Sequence, residues 1–243
     1  MMITVINPNT SGPMTRSIER SARGVAAPGT TVRAVHPAMG PASVESHYDE
    51  ALSVPGVLAE IAEGERLGSD GYLIACFGDP GLDAAREVAR GPVLGIAEAA
   101  MHTASVLGRS FSVVTTLART TGRARDLAER YGMDRFCAGV HACEIPVLEL
   151  DRDPTAIKTI TEACRTALER DGSDAVVLGC AGMSELCGQL SAELGVPVVD
   201  GVTAGVLAVQ SLVTLGLRTG DRGEFAAPPA KAYTGLLAEF GTA

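Results

Sequence analysis

Apolar and polar positions follow two rhythms along this chain, and the rhythms replace one another at regular intervals. Short runs rich in Val, Ile and Leu, bounded by turn residues, predict strands at 3–8, 31–36, 70–76, 92–96, 111–116, 138–143, 174–180 and 196–199. Between them, helical spacing predicts a first helix through about Ala26, then helices near 48–67, 81–89, 98–108, 119–131, 154–170, 183–194, 202–216 and 229–240. Thr10 and Ser11 offer an N-cap for the first helix, and Pro13 suits its first turn. The strands are apolar on both faces, which is the pattern of parallel sheets covered by helices on both sides. Strict alternation of strand and helix therefore predicts an α/β fold.

The same pattern occurs twice. Gly68-Ser69-Asp70 through Cys76 matches Gly172-Ser173-Asp174 through Cys180, with both the aspartates and the cysteines 104 residues apart. Downstream, Pro92-Val93-Leu94 echoes Pro197-Val198-Val199 at 105 residues; upstream, Thr4-Val5-Ile6-Asn7 echoes Ser112-Val113-Val114-Thr115 at 108. Small drifts of this kind are what loop insertions leave between copies of one unit, and a period this long fits two α/β halves rather than a solenoid. The expected division is an N-terminal half of residues 1–97 plus about 204–243, and a C-terminal half of 98–203. The last helices would return to pack on the first half.

Composition narrows the partners. The chain is 46% hydrophobic but only 4% aromatic, so small side chains can bring helices close to a sheet. With a net charge of −9 and no basic block interleaved with aromatics, nucleic acid is not an expected partner. The start of the chain lacks a signal-peptide pattern and no apolar run reaches membrane length, so the expectation is a cytoplasmic protein with no membrane partner. Homo-oligomerisation is expected, with a small-molecule substrate as the other partner. In a reducing compartment the six cysteines are expected as free thiols. No Cys-x-x-Cys pair is present, which argues against structural zinc.

Two of the six stand apart. Cys76 and Cys180 each end a hydrophobic strand where a helix is about to begin, and in open parallel sheets ligands bind at those strand ends. Backbone N–H groups of the following turn and a helix N-terminus would stabilise a thiolate, so both cysteines are expected to have lowered pKa values. Gly78, Ala181 and Gly182 would leave those N–H groups open to a substrate oxygen. Cys137, Cys143, Cys164 and Cys187 are read as packing thiols. Two equivalent acid–base groups facing each other across a pseudo-twofold axis suit one task well. One takes a proton from a carbon as the other returns a proton to the opposite face, and nearby N–H groups hold the enolate between them.

The segments Ile-Asn-Pro-Asn-Thr-Ser (6–11), Ala-Cys-Phe-Gly-Asp-Pro-Gly-Leu (75–82), Gly-Ile-Ala-Glu-Ala-Ala (95–100) and Leu-Gly-Cys-Ala-Gly-Met (178–183) resemble the hydantoin racemase branch of the aspartate/glutamate racemase superfamily. The likeness spans nearly the whole chain. It implies two Rossmann-like domains related by a pseudo-dyad, an active site between them, and racemisation with no cofactor, neither metal nor pyridoxal phosphate. Allantoin racemases belong to the same branch. Arylmalonate decarboxylases and maleate isomerases share the fold, but decarboxylases of that type keep only the second cysteine. Asn7 and Asn9 at the end of the first strand, and Thr115 and Thr116 at the equivalent place, could hydrogen-bond a ureide or carboxylate oxygen. Each is also ordinary turn chemistry. Phe77 could line a side-chain pocket. Glu98 reads equally as an N-terminal helix carboxylate, and His36, His47, His102 and His141 match no pattern.

The only lysines, Lys158 and Lys231, lie away from strand ends, so a Schiff-base cofactor is not expected. Phosphate-loop, dinucleotide and nucleophile-elbow patterns are absent. The strand-end loops read as short of Arg and Lys, which disfavours an acidic amino acid and favours a neutral 5-substituted hydantoin, with allantoin close behind. The non-enzymatic alternative is a two-lobed small-molecule binding protein, which would leave the paired thiols unexplained.

Overall fold

A computed structural model describes residues 1–150 and 152–241. It contains two four-stranded, wholly parallel sheets. The first has the order β2 (Thr31–Val35), β1 (Met2–Ile6), β3 (Gly71–Ile74), β4 (Val93–Gly95). The second repeats that order with β6 (Cys137–Ala142), β5 (Phe111–Thr115), β7 (Ala175–Gly179), β8 (Val198–Asp200). Register makes the duplication concrete. Val5 pairs with Leu73 and Leu73 with Leu94; in the second sheet Val113 pairs with Val177 and Val177 with Val199. These pairings reproduce the displacements of 108, 104 and 105 residues found in the sequence.

Side-chain alternation sorts the strands into layers. Ile3 and Val5 of β1, Leu73 of β3, Phe111 and Val113 of β5, and Ala175 and Val177 of β7 all enter one central core. That core is completed by α1 (Gly12–Val25), α4 (Ile96–Ala104), α5 (Thr121–Arg130) and α8 (Gly201–Thr214). The other face of the first sheet, with Ile6, Tyr72 and Ile74, meets α2 (His47–Leu67) and α3 (Leu82–Val88). The other face of the second, with Val114, Val176 and Leu178, meets α6 (Ala156–Asp171) and α7 (Cys187–Leu194). Period-two alternation thus feeds two cores from every central strand. Each fully buried Leu, Ile or Val contributes about 1.5–3 kcal/mol.

Local signals explain several boundaries. Ser11 caps α1 by accepting from the Met14 N–H, with Pro13 in the first turn. Ser46 and Asp49 cap α2 reciprocally, and Gly68 ends it in the left-handed conformation. Asp200 accepts from the N–H groups of Val202 and Thr203 at the start of α8. The linking helices cross between the sheets: α4 follows the first sheet yet packs on β7 and β8, and α8 follows the second yet packs on β1, β3 and β4. Gly205 permits the latter, because a Cβ there would lie 2.4 Å from Leu73 Cδ1.

The chain departs from the helix expected at 229–240. Within that range a 3₁₀ turn forms at Gly235–Phe240, preceded by another at Gly223–Phe225. Pro228 and Pro229 interrupt the start, Gly235 has φ +64°, and Leu236 is 95% exposed, so no core supports a helical face. Residues 183–194 also begin differently, with a 3₁₀ helix at Ala181–Leu186 before α7. Among the described residues no helix is long and apolar enough to cross a membrane.

Candidate active site

The central strands β1, β3, β5 and β7 all end at one cavity of about 170 Å³. Its lining includes Asn9 beyond β1, Ala75 to Gly78 beyond β3, Thr115 and Thr116 at the end of β5, and Gly179 to Ala181 at the end of β7. Both Cys76 and Cys180 are therefore in the wall of the same cavity, just beyond the ends of equivalent strands of the two sheets. The duplicated fold accounts for this: the two central strands of each sheet present their carboxyl ends to the other half.

The surroundings of the two cysteines differ. Cys180 is the N-cap residue of the 3₁₀ helix, and the Met183 N–H returns to its carbonyl at 3.1 Å. After Cys76 the Asp79 N–H makes the matching bond at 3.0 Å, but Asp79 then has φ +46° and α3 starts only at Leu82. No helix N-terminus stands directly behind Cys76. Burial pushes its thiol up to about 12, against the expected lowering. Cys180, Glu50 and Asp79 add to the rise, whereas a backbone hydrogen bond from Gly78 works the other way. The sequence marked the strand end correctly, but low dielectric and neighbouring acids outweigh the turn's N–H groups.

Asp79 is itself 3% exposed and joins the two halves. Its carboxylate accepts from the N–H groups of Ala97 and Glu98 at the start of α4, and from the Tyr131 hydroxyl at 2.7 Å. Burial raises its pKa to about 6 despite these donors.

The polar residues picked out at the first strand separate into two roles. Asn9 lines the cavity; its side-chain oxygen accepts from Asn7 Nδ2 at 2.8 Å and from the Ser11 N–H at 2.9 Å. Asn7 stands behind it, outside the lining, with its amide also bonded to Thr15. Thr115 bonds Thr120 and the Gly179 carbonyl. Thr116 borders the cavity. Phe77 is 7% exposed and shared between the cavity wall and the central core. Ala181 is in the wall, whereas Gly182 is outside it, where a Cβ would lie 3.0 Å from Leu150 and 3.7 Å from Cys180 Sγ.

Several cavity residues escaped the sequence reading. Glu45, Ser46, His47 and Glu50 enter from the start of α2, and Arg119, Thr120 and Arg123 from the segment leading into α5. The shortage of cationic residues expected at the strand ends therefore does not hold for the cavity. Arg123 pairs with Glu50 at 2.9 Å, while Arg119 is exposed at the rim. Both arginines lie beyond the loop next to β5, so a count confined to strand ends misses them. Arg119 lies in a 3₁₀ turn at Ala118–Thr120 and Arg123 in the first turn of α5, and no pattern in the sequence marks either as facing a cavity. Glu98 is engaged by Arg86 at 2.6 Å, away from the cavity. Cys143 and Cys164 are buried packing thiols, and Cys137 and Cys187 are partly buried outside the lining.

Comparison with known proteins fits this geometry. The Asp/Glu/hydantoin racemase family profile matches residues 3–209. The chain belongs to that family. It is 48% identical over 242 residues to a hydantoin racemase of Pseudomonas sp. (strain NS671), covering 99% of this chain and 97% of that one. An allantoin racemase from Klebsiella pneumoniae superimposes with a TM-score of 0.97 at 51% identity, covering 99% of both chains. An allantoin racemase from Pseudomonas fluorescens follows with a TM-score of 0.91 at 38% identity, covering 97% of this chain and all of that one. As a member of this racemase family the chain is an isomerase, and the reading as a two-lobed binding protein without chemistry gives way.

Proposed function

We propose that this racemase inverts C5 of 5-substituted hydantoins by proton transfer between Cys76 and Cys180. The observation that carries the reading is the presence of both thiols in the wall of one cavity, just beyond the ends of equivalent strands of the two sheets. In the forward step the thiolate of one cysteine takes the C5 proton. The C–H electron pair moves into the ring, forming an enolate on the C4 oxygen. The thiol of the other cysteine then protonates C5 from the opposite face and is left as thiolate. Atoms and charge balance, with the proton having changed sides of the cavity. The reverse turnover restores the starting protonation, so each cysteine is acid in one direction and base in the other.

A hydantoin suits this chemistry because ring carbonyls acidify its C5–H. Thr116 and Asn9 stand at the strand ends where ring oxygens and N–H groups can be held. Enolate charge would be met by backbone N–H groups of the two cysteine turns. Cys76, held as a neutral thiol by burial, enters the cycle naturally as the proton donor.

Allantoin is the second reading, and one observation favours it: the 51% identity to an allantoin racemase. Allantoin is itself a hydantoin with a ureido group at C5, so the readings differ in the substituent preferred, not in the reaction. Polarimetry with single enantiomers of 5-benzylhydantoin, allantoin and glutamate tests both. Decay of rotation with a hydantoin and not with glutamate supports the proposal. Activity on glutamate alone would refute it.

A further inference from the structure

We infer that Arg123, from the second half of the molecule, is a positioning residue for Cys76 and acts on it through Gly78. This rests on the two-cysteine reading above. The geometry runs in a short chain. Arg123 donates from its terminal guanidinium nitrogen to the Gly78 carbonyl at 2.8 Å and from Nε to Glu50 at 2.9 Å. Gly78 in turn lies inside the turn that the Asp79 N–H closes on the Cys76 carbonyl at 3.0 Å, two residues from the thiol. A cation thus holds the carbonyl side of the same turn that carries the thiol. Glu50 fills the space beside Gly78, because a Cβ there would lie 2.3 Å from Glu50 Oε1.

The second half shows why such a grip is required on one side only. Beyond Cys180 the chain continues as a 3₁₀ helix, whose own hydrogen bonds hold residues 181–186. Beyond Cys76 the first bond is the same, but the chain then leaves helical geometry at Asp79 and enters α3 through Gly81 at φ +71°. Gly78 has no side chain to pack, and glycine is the residue with most backbone freedom to lose. The guanidinium fork replaces the missing helical restraint, and its two fixed directions are what a single ammonium could not supply. A group within reach of its proton but turned away from it reacts slowly, so small losses of orientation cost large factors in rate.

The test separates the two thiols. In Cys180→Ser, exchange of the C5 proton with D2O depends on Cys76; in Cys76→Ser it depends on Cys180. Each enantiomer of 5-benzylhydantoin is followed by NMR at saturating concentration in both backgrounds, with and without Arg123→Gln or Arg123→Met. The expected result is a loss of Cys76-driven exchange at least about tenfold greater than the loss of Cys180-driven exchange. The Cys180-driven exchange of the same variant reports whether it has folded. Equal losses in the two backgrounds, or none, would overturn the positioning role alone. Absence of exchange in both single-cysteine backgrounds, before Arg123 is touched, would overturn the two-cysteine reading and this inference with it.

Discussion

Asp79, two residues beyond the Cys76-Phe77 pair, caps a helix that does not belong to its own loop. Its carboxylate takes the N–H groups of Ala97 and Glu98 while accepting the hydroxyl of Tyr131 from the other half. The loop that carries the first cysteine is thereby fixed to the helix that leads into the second half. The Cys76 loop of the candidate site and the packing of the two halves share one buried acid.

That acid gives a pH signature. Its folded pKa is raised, to about 6, so its contribution to stability is fully present below the unfolded value of 3.8 and is lost as pH rises through about 6. Urea unfolding of wild type and Asp79→Asn at pH 4, 5, 6 and 7 isolates it. Relative to the Asn variant, wild type should lose stability between pH 4 and 6. A difference that grows over that interval would contradict the assignment.

Removing the carboxylate outright should be costly. Asp79→Ala leaves three donors without their partner in a buried site, an expected loss of about 3 kcal/mol. Denaturant midpoints measure this directly, and a loss under about 1 kcal/mol would mean that water replaces the carboxylate.

Cys76 should behave as a high-pKa thiol in the resting enzyme. With its pKa pushed up to about 12, alkylation by iodoacetamide, quantified at this residue by mass spectrometry, should quicken nearly tenfold per pH unit from 7 to 10. A plateau at or below pH 8 would contradict the buried, acid-flanked environment.

The approach of α8 to the first sheet is equally testable. In Gly205→Ala the new methyl meets Leu73 Cδ1 at 2.4 Å, so overpacking should destabilise the protein by about 1–3 kcal/mol. Thermal unfolding reads the shift, and adding Leu73→Ala should make the glycine substitution less costly than it is alone. Full additivity of the two would show that Gly205 and Leu73 do not interact.

Most strands were legible because apolar runs on both faces leave little choice between core and solvent, and the matched Gly-Ser-Asp…Cys segments aligned the halves with the register later found. Cys76, Cys180 and Asn9 were legible for the same reason, as strand ends have a known place in this kind of sheet. Arg123 and Glu50 were not. They reach the cavity from elements 73 residues apart in sequence, and only the packing of one half on the other joins them. The thiol environment of Cys76 was misread because a sequence shows the turn that follows but not the burial of the thiol, nor the Glu50 carboxylate that another element brings beside it. The final helix failed because amphipathic spacing near 229–240 has no core to meet.

The proposed two-cysteine transfer requires both thiols. Serine preserves their shape but is a far weaker acid, so Cys76→Ser and Cys180→Ser should each lower racemisation by at least about a hundredfold with little change in fold. Polarimetry and circular dichroism on the same samples check both halves of that statement.

The most direct measurement follows the carbon-bound proton. Wild-type protein is incubated in D2O with one enantiomer of 5-benzylhydantoin, and the C5 proton signal is recorded alongside the enantiomer ratio on a chiral column. With two-base transfer, the opposite enantiomer, as it first appears, carries deuterium at C5, delivered by the second cysteine from solvent. Inversion with the original proton wholly retained, or no inversion with either the hydantoin or allantoin, would contradict it.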